Sequence, residues 1–222
     1  MLTVIGETLP LAIAIAFSPF GVVAVVVMLL SSYPRATSIG FVLGWASGIA
    51  VVGVAGYLLA ELVPEGVGGG SVIGPITLVV LGSVSIGFAA RQWRGRPSAD
   101  DEVELPGWMS RIDGLSALRS FALGAALAAT KPKNIILAFG SGVAASTAGL
   151  VGAQAVVVLG IFLGVSSISL GAPIIAFLIA GERVYGSLES IRDWMIRHNS
   201  AMLGVILLFV GVVLVGNGLR AL

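Results

Sequence analysis

The chain has 222 residues, 57% of them hydrophobic and 10% charged, against about 25% charged in an ordinary soluble domain. With a mean hydropathy of +1.07 and several apolar runs beyond the ~20 residues that cross a hydrocarbon core of about 30 Å, it reads as an all-α integral membrane protein. The absence of cysteine and the single histidine, His198, exclude disulfides, thiol electron transfer and Cys or His metal clusters, and a net charge of +1 gives no reason to expect nucleic acid.

The first span is expected from Thr3 to Leu30. No Lys or Arg precedes it and Glu7 interrupts its apolar run, so no cleavable signal peptide is read there. Ser18-Pro19-Phe20-Gly21 lies near its centre; proline removes an intrahelical bond and glycine loosens the turn, which predicts a kink or break. Pro34 and Arg35 mark a turn. The second span covers Ser38 to Leu62, with Gly40, Gly44 and Gly48 four apart on one face. Such a stripe permits close helix packing, within one chain or between two copies in a homodimer. A loop with Pro64 and three consecutive glycines, Glu61 to Ser71, leads to a third span over Val72 to Ala90.

Arg91 to Ser116 is the long polar stretch. Its first half is mixed in charge, with Arg94, Arg96, Asp100, Asp101, Glu102 and Glu104; its second half places Trp108, Ile112 and Leu115 at helical spacing, which predicts a short interfacial helix. The fourth span runs from Leu118 to Val143, a turn covers Ser146 to Gly152, and the fifth span runs from Ala153 to Ala180. Glu182 to His198 is amphipathic and too charged to span, so it is expected to lie among head groups. The sixth span is Ala201 to Leu219.

Six spans put nine Lys and Arg residues (Arg35, five arginines between 91 and 119, three between 183 and 197) on one side and Arg220 on the other. The positive-inside rule then places the long loop in the cytoplasm and both termini outside it, in the inner (plasma) membrane. The halves also repeat. Ala12, Ala16 and Pro19 match Ala125, Ala129 and Pro132 at an offset of 113. Gly40, Leu43, Gly44 and Ser47 match Gly160, Leu163, Gly164 and Ser167 at 120, and Gly82, Gly87 and Arg91 match Gly211, Gly216 and Arg220 at 129. A three-span repeat inverts its second copy, which predicts one transmembrane domain over 1–222: repeat one at 1–93, a cytoplasmic loop at 94–117 and repeat two at 118–222. Inverted repeats are frequent in secondary transporters, whose sites lie at interrupted helices near the midplane.

The fourth span holds Thr130-Lys131-Pro132-Lys133-Asn134. A charge at the bilayer centre costs roughly 2.5–3.5 kcal/mol, so two lysines there mark a site. Lys131 lies twelve residues after Arg119, ~18 Å along a helix and close to half the core. Pro19 and Pro132 are equivalent in the repeat, so helices one and four are both expected to be broken, and to face each other. The predicted substrate-binding set is Ser18, Pro19, Phe20, Gly21, Thr130, Lys131, Pro132, Lys133 and Asn134. A regular helix points the two lysines about 200° apart; a break lets both converge on one cavity. Fixed positive charge favours an anionic ligand. The alternative is that the lysines pair with Glu7, carbonyls or lipid phosphate and hold the fold. Glu7 is either a proton-coupling carboxylate or, the simpler reading, an exposed interfacial residue. Ser166, Ser167 and Ser169 either line the cavity or bond to their own helix, and Trp45 either packs or stacks on substrate. Trp93, Trp108 and Trp194 fit an interfacial belt, and Asn217 suits a cap. No serine–histidine–acid set and no nucleotide-binding glycine loop is present, so neither enzymatic activity nor a cofactor is expected.

Six spans in two inverted repeats, Ala-Phe-Ser-Pro-Phe-Gly at 16–21 and Thr-Lys-Pro-Lys-Asn at 130–134 resemble the LysE superfamily of exporters. With the charged central loop, they look most like its GAP/Sap family, the glycolipid- or sulfolipid-addressing proteins of mycobacteria and their relatives. That resemblance implies export of a lipid or glycolipid, an anionic amphiphile by the charge argument, across the inner membrane towards the envelope by alternating access. It gives Ser18, Pro19, Lys131, Pro132, Lys133 and Asn134 a place in the central motifs. Metal export is disfavoured because the spans lack central acidic residues. Two other readings follow from the same sequence: an exporter of amino acids or small organic anions, and a membrane scaffold that recruits envelope-lipid enzymes through the 91–116 loop.

Overall fold

Proline sets the helix boundaries in the middle of the apolar runs. The computed structural model of the protein describes residues 1–62, 73–95 and 114–220. Helix α1 (Leu2–Ala16) stops before Pro19, which takes the first position of α2 (Pro19–Leu29), and the two axes are bent by 53°. Pro132 does the same between α5 (Ala117–Thr130) and α6 (Pro132–Thr147). A proline cannot supply the interior N–H and pushes the residue before it out of the helical region. Accordingly Ser18 sits at φ −118°, ψ 88° and Lys131 at φ −73°, ψ 121°. Both expected breaks are present.

The other helices are α3 (Pro34–Glu61), α4 (Ile73–Arg94), α7 (Ala153–Ala180) and, after a 3₁₀ turn at Gly181–Val184, α8 (Tyr185–Arg220). The described residues contain no strand. Gly181 closes α7 with φ +58°, a conformation open to glycine without a Cβ penalty. An interfacial helix at 182–198 separate from a span at 201–219 was expected; instead α8 is one helix of 36 residues. Between Arg197 and Ala201 there is no proline or glycine to stop it. The glycine-rich segment at 63–72 and the 96–113 segment, with Asp100 to Glu104, Trp108 and Ile112, lie outside the described residues, as does the Asn217 side chain.

The chain divides into two compact units. One comprises Met1–Leu62 and Glu104–Ile196. Its principal packing is α3 along α5 and α6, with α7 against α1 and α2. The α3 glycine stripe is what brings these backbones together. A Cβ on Gly40 would lie 2.5 Å from the Ala117 carbonyl oxygen, one on Gly48 2.6 Å from that of Ala125, and one on Gly44 nearer still to that of Phe121. Gly124 and Gly142 answer from the other side, against the carbonyls of Phe41 and Gly53. Small residues permit this approach in membranes, where dispersion contacts and polar bonds hold helices together without a hydrophobic driving force between them. The stripe is therefore occupied inside the chain. Tyr57 ties the far end of α3 to the turn before α7, its hydroxyl donating to the Leu150 carbonyl at 2.7 Å. Trp45, Phe41, Ile15, Ile49 and Leu170 are fully buried between the helices, while Val51, Leu58, Ile168 and Ile179 point outward.

The second unit comprises Val63–Val103 and Arg197–Leu222. There Gly82 of α4 meets Gly211 of α8, and the meeting is reciprocal: a Cβ on either would lie 2.7 Å from the other's carbonyl oxygen. Val215 crowds Gly82 as Ile86 crowds Gly211. Among the described residues three helical stretches can cross a membrane by length and composition, Pro34–Glu61, one within Ala153–His198, and Ser200–Arg220, and the bent α1–α2 pair makes a fourth.

Gly44→Ala drives a methyl into the Phe121 carbonyl and forces α3 from α5, which is expected to cost about 1–3 kcal/mol as overpacking does. Gly160→Ala meets nothing within 4 Å and is expected to leave stability unchanged or slightly raised. Thermal unfolding of both variants in detergent measures the contrast; equal melting temperatures would refute the close approach.

Candidate functional site at the two helix breaks

At the broken end of α1 the Ser18 N–H turns back to the Ala16 carbonyl at 2.8 Å, and the carbonyls of Ala14 and Phe17 are left to donors from elsewhere. Lys133, at the second position of α6, reaches across to them. Its ammonium donates to the carbonyls of Ala14 at 2.8 Å and Phe17 at 3.0 Å. Ser169 of α7 donates to the carbonyl between them, that of Ala16. A cation at a helix C-terminus also complements the macrodipole. Of the two roles open to the lysines, Lys133 takes the one that holds the fold, with carbonyls as its partners.

Lys131 is placed differently. It links α5 to α6, and its ammonium stands 5.2 Å from the Phe20 ring centroid and 5.8 Å from that of Trp45. Cation–π attraction of this kind is worth about 0.5–2 kcal/mol, more as water is excluded. Neither lysine forms an ion pair: the salt bridge among the described residues joins Arg192 to Asp193 at 2.9 Å. No group of three or more acidic, His or Cys residues able to hold a metal occurs among the described residues.

The remaining expected site residues divide between the breaks. Ser18 and Pro19 are buried at the first break, and Gly21 one turn on has Ser18 and Leu170 as neighbours. Phe20 lies under the Lys131 ammonium. Pro132 is exposed at the start of α6. Thr130 is exposed too and donates back to the Ala126 carbonyl at 2.6 Å, within its own helix. Asn134 is fully buried, and neither atom of its amide has a hydrogen-bond partner. Glu7 lies on the exposed face of α1. Ser166 bonds within its helix, to the Leu163 carbonyl at 3.0 Å.

Asn134 is not alone in this. The indole N–H of the fully buried Trp45 and the hydroxyls of Ser120 and Ser167 are likewise buried and unpartnered. A buried polar group left unmade costs about 1–3 kcal/mol. Of these groups, Trp45 lies beneath the Lys131 ammonium and Asn134 follows that lysine by three residues. Sequence reasoning overlooked the place of Trp45 beneath Lys131. The signal for Trp45 was present: an indole inside a span that also carries a stripe of glycines.

The fold and site are those of a membrane-embedded all-helical protein with two proline-broken helices and a lysine held at each break by carbonyls or aromatic rings. The chain belongs to the Sap, sulfolipid-1-addressing protein, family, whose model matches residues 8–220. No curated protein and no solved structure matches it.

The division of labour between the lysines has a direct consequence. Lys133→Gln removes charged donors from two carbonyls and is expected to destabilise the protein by about 1.5–3 kcal/mol. Lys131→Gln loses the two ring contacts alone, and its melting temperature should stay within a few degrees of wild type. Equal losses in thermal unfolding would show that the lysines are not so divided.

Proposed function

We propose that the protein is a secondary transporter that exports an anionic amphiphile, a lipid or glycolipid, across the inner membrane, with Lys131 receiving the anionic head group. The observation that carries this reading is the Lys131 ammonium, held over two aromatic rings at a helix break with no carboxylate to neutralise it. The ligand supplies the missing anion, and the unpartnered groups of Asn134 and Trp45 add hydrogen bonds to its polar part. Membership of a lipid-addressing family supports the amphiphile.

The same proposal takes the chain as six spans in two inverted repeats. In this arrangement α1–α2 and α5–α6 are the broken spans, α3 and α7 the second of each repeat, and α4 and the end of α8 the third. The packing exchanges partners as a two-fold relation demands: α3 lies on α5 and α6, α7 on α1 and α2. Within the other unit, Gly82 and Gly211 sit at the repeat offset of 129 and meet each other, and Val215 meets Gly82 as Ile86, its counterpart at the same offset, meets Gly211. Rocking of one repeat against the other would then expose Lys131 to either side, with the termini outside the cytoplasm and the arginine-rich loop within it.

Lys131→Gln is expected to lower export of the envelope lipid about tenfold or more, with insertion and expression unchanged and Lys131→Arg largely retained. The measurement is surface-lipid extraction from cells carrying each variant in place of the wild type. Full export by Lys131→Gln would exclude the head-group role. Loss of export on deletion of Asp100 to Glu104, with Lys131→Gln silent, would favour the scaffold instead, and an altered intracellular amino-acid pool the small-molecule exporter.

A further inference from the structure

The end of α1 is unusual in what covers it. Ala14 and Phe17 give their carbonyls to one ammonium, and Ser169 covers Ala16 between them. Among the described residues no acidic group shares the place. Helices α2, α6 and α7 contain no Asp or Glu at all, α3 has Glu61 at its far terminus, and the Glu7 side chain of α1 is exposed. The other charge nearby is a second cation, Lys131.

Neutral carbonyls converging on a compact monovalent cation are also the means by which proteins hold desolvated alkali ions. The C-terminal ends of interrupted membrane helices are where transporters coordinate Na⁺. A divalent ion would call for carboxylate oxygens, which this place lacks. We infer that the break after α1 is a monovalent-cation site built from the Ala14 and Phe17 carbonyls, flanked by the Ser169 hydroxyl, and that the Lys133 ammonium is its tethered occupant. While Lys133 is seated the protein needs no alkali ion at this break. Once the ammonium is removed the carbonyls accept Na⁺ or K⁺ in its place. This conclusion concerns Lys133 and stands whether or not Lys131 receives an anionic head group.

The test is thermal unfolding of the full-length protein in detergent, in choline chloride, NaCl and KCl at equal ionic strength so that general screening is constant. Wild type and Lys133→Arg are expected to melt at one temperature in all three salts. Lys133→Ala is expected to melt lower in choline chloride and to recover saturably, by several degrees, in NaCl or KCl, as an ion bound to the folded state alone requires. Adding Ser169→Ala should weaken that recovery. Lys133→Gln keeps the side-chain stem and serves for the same comparison if the alanine variant does not survive purification. Variants that respond alike to all three salts overturn the inference, as does a wild type that gains as much from Na⁺ or K⁺ as they do.

Discussion

A helix interrupted inside a membrane leaves carbonyls facing an interior with no water to satisfy them, and each costs several kcal/mol if left alone. Proline makes this unavoidable after α1, so some other element must bring donors to the same place. Here the donors come from α6 and α7, through Lys133 and Ser169. The need for them fixes how the first broken helix meets the second. The break and its covering are one feature, since the carbonyls left by the break are the partners of the lysine.

The second constraint is steric. An ammonium on α6 reaches α1 only if α5 and α6 are held at a close and constant distance from the rest of the unit. The glycines of α3 provide this by letting its backbone touch those of α5 and α6, with Gly124 and Gly142 closing from the facing side. Helices at such distances gain dispersion contacts and weak Cα–H···O interactions along their length. Trp45 belongs to the same α3 surface, with Gly124 against its backbone, and its indole reaches the Lys131 ammonium. Packing and site share one helix.

With Lys133 committed to carbonyls, Lys131 becomes the chemically open group. Aromatic faces attract a cation without neutralising it, so its charge is available to an anion that arrives. The Asn134 amide, three residues further on, is buried and unpartnered. The family to which the chain belongs is one of sulfolipid-addressing proteins.

The all-helical membrane class was legible from composition, because apolar runs of spanning length have few other stable forms. The helix breaks were legible too, since Pro19 and Pro132 forbid an interior hydrogen bond whatever surrounds them. Other features were not. Lys131 and Lys133 are the same residue type two positions apart, and their opposite fates depend on which carbonyls and which rings lie within reach across the fold. The Gly40, Gly44 and Gly48 stripe announces close packing, yet its partner could have been another copy; only the placement of α5 and α6 decided for the chain itself. Continuity of α8 through Arg197 to Ala201 was missed because charge predicts where a helix prefers to lie, while a helix ends only where a backbone stop is present. Local rules act through the residues that carry them and can be read in order; choices among partners are made by distance, and distance exists only once the chain has folded.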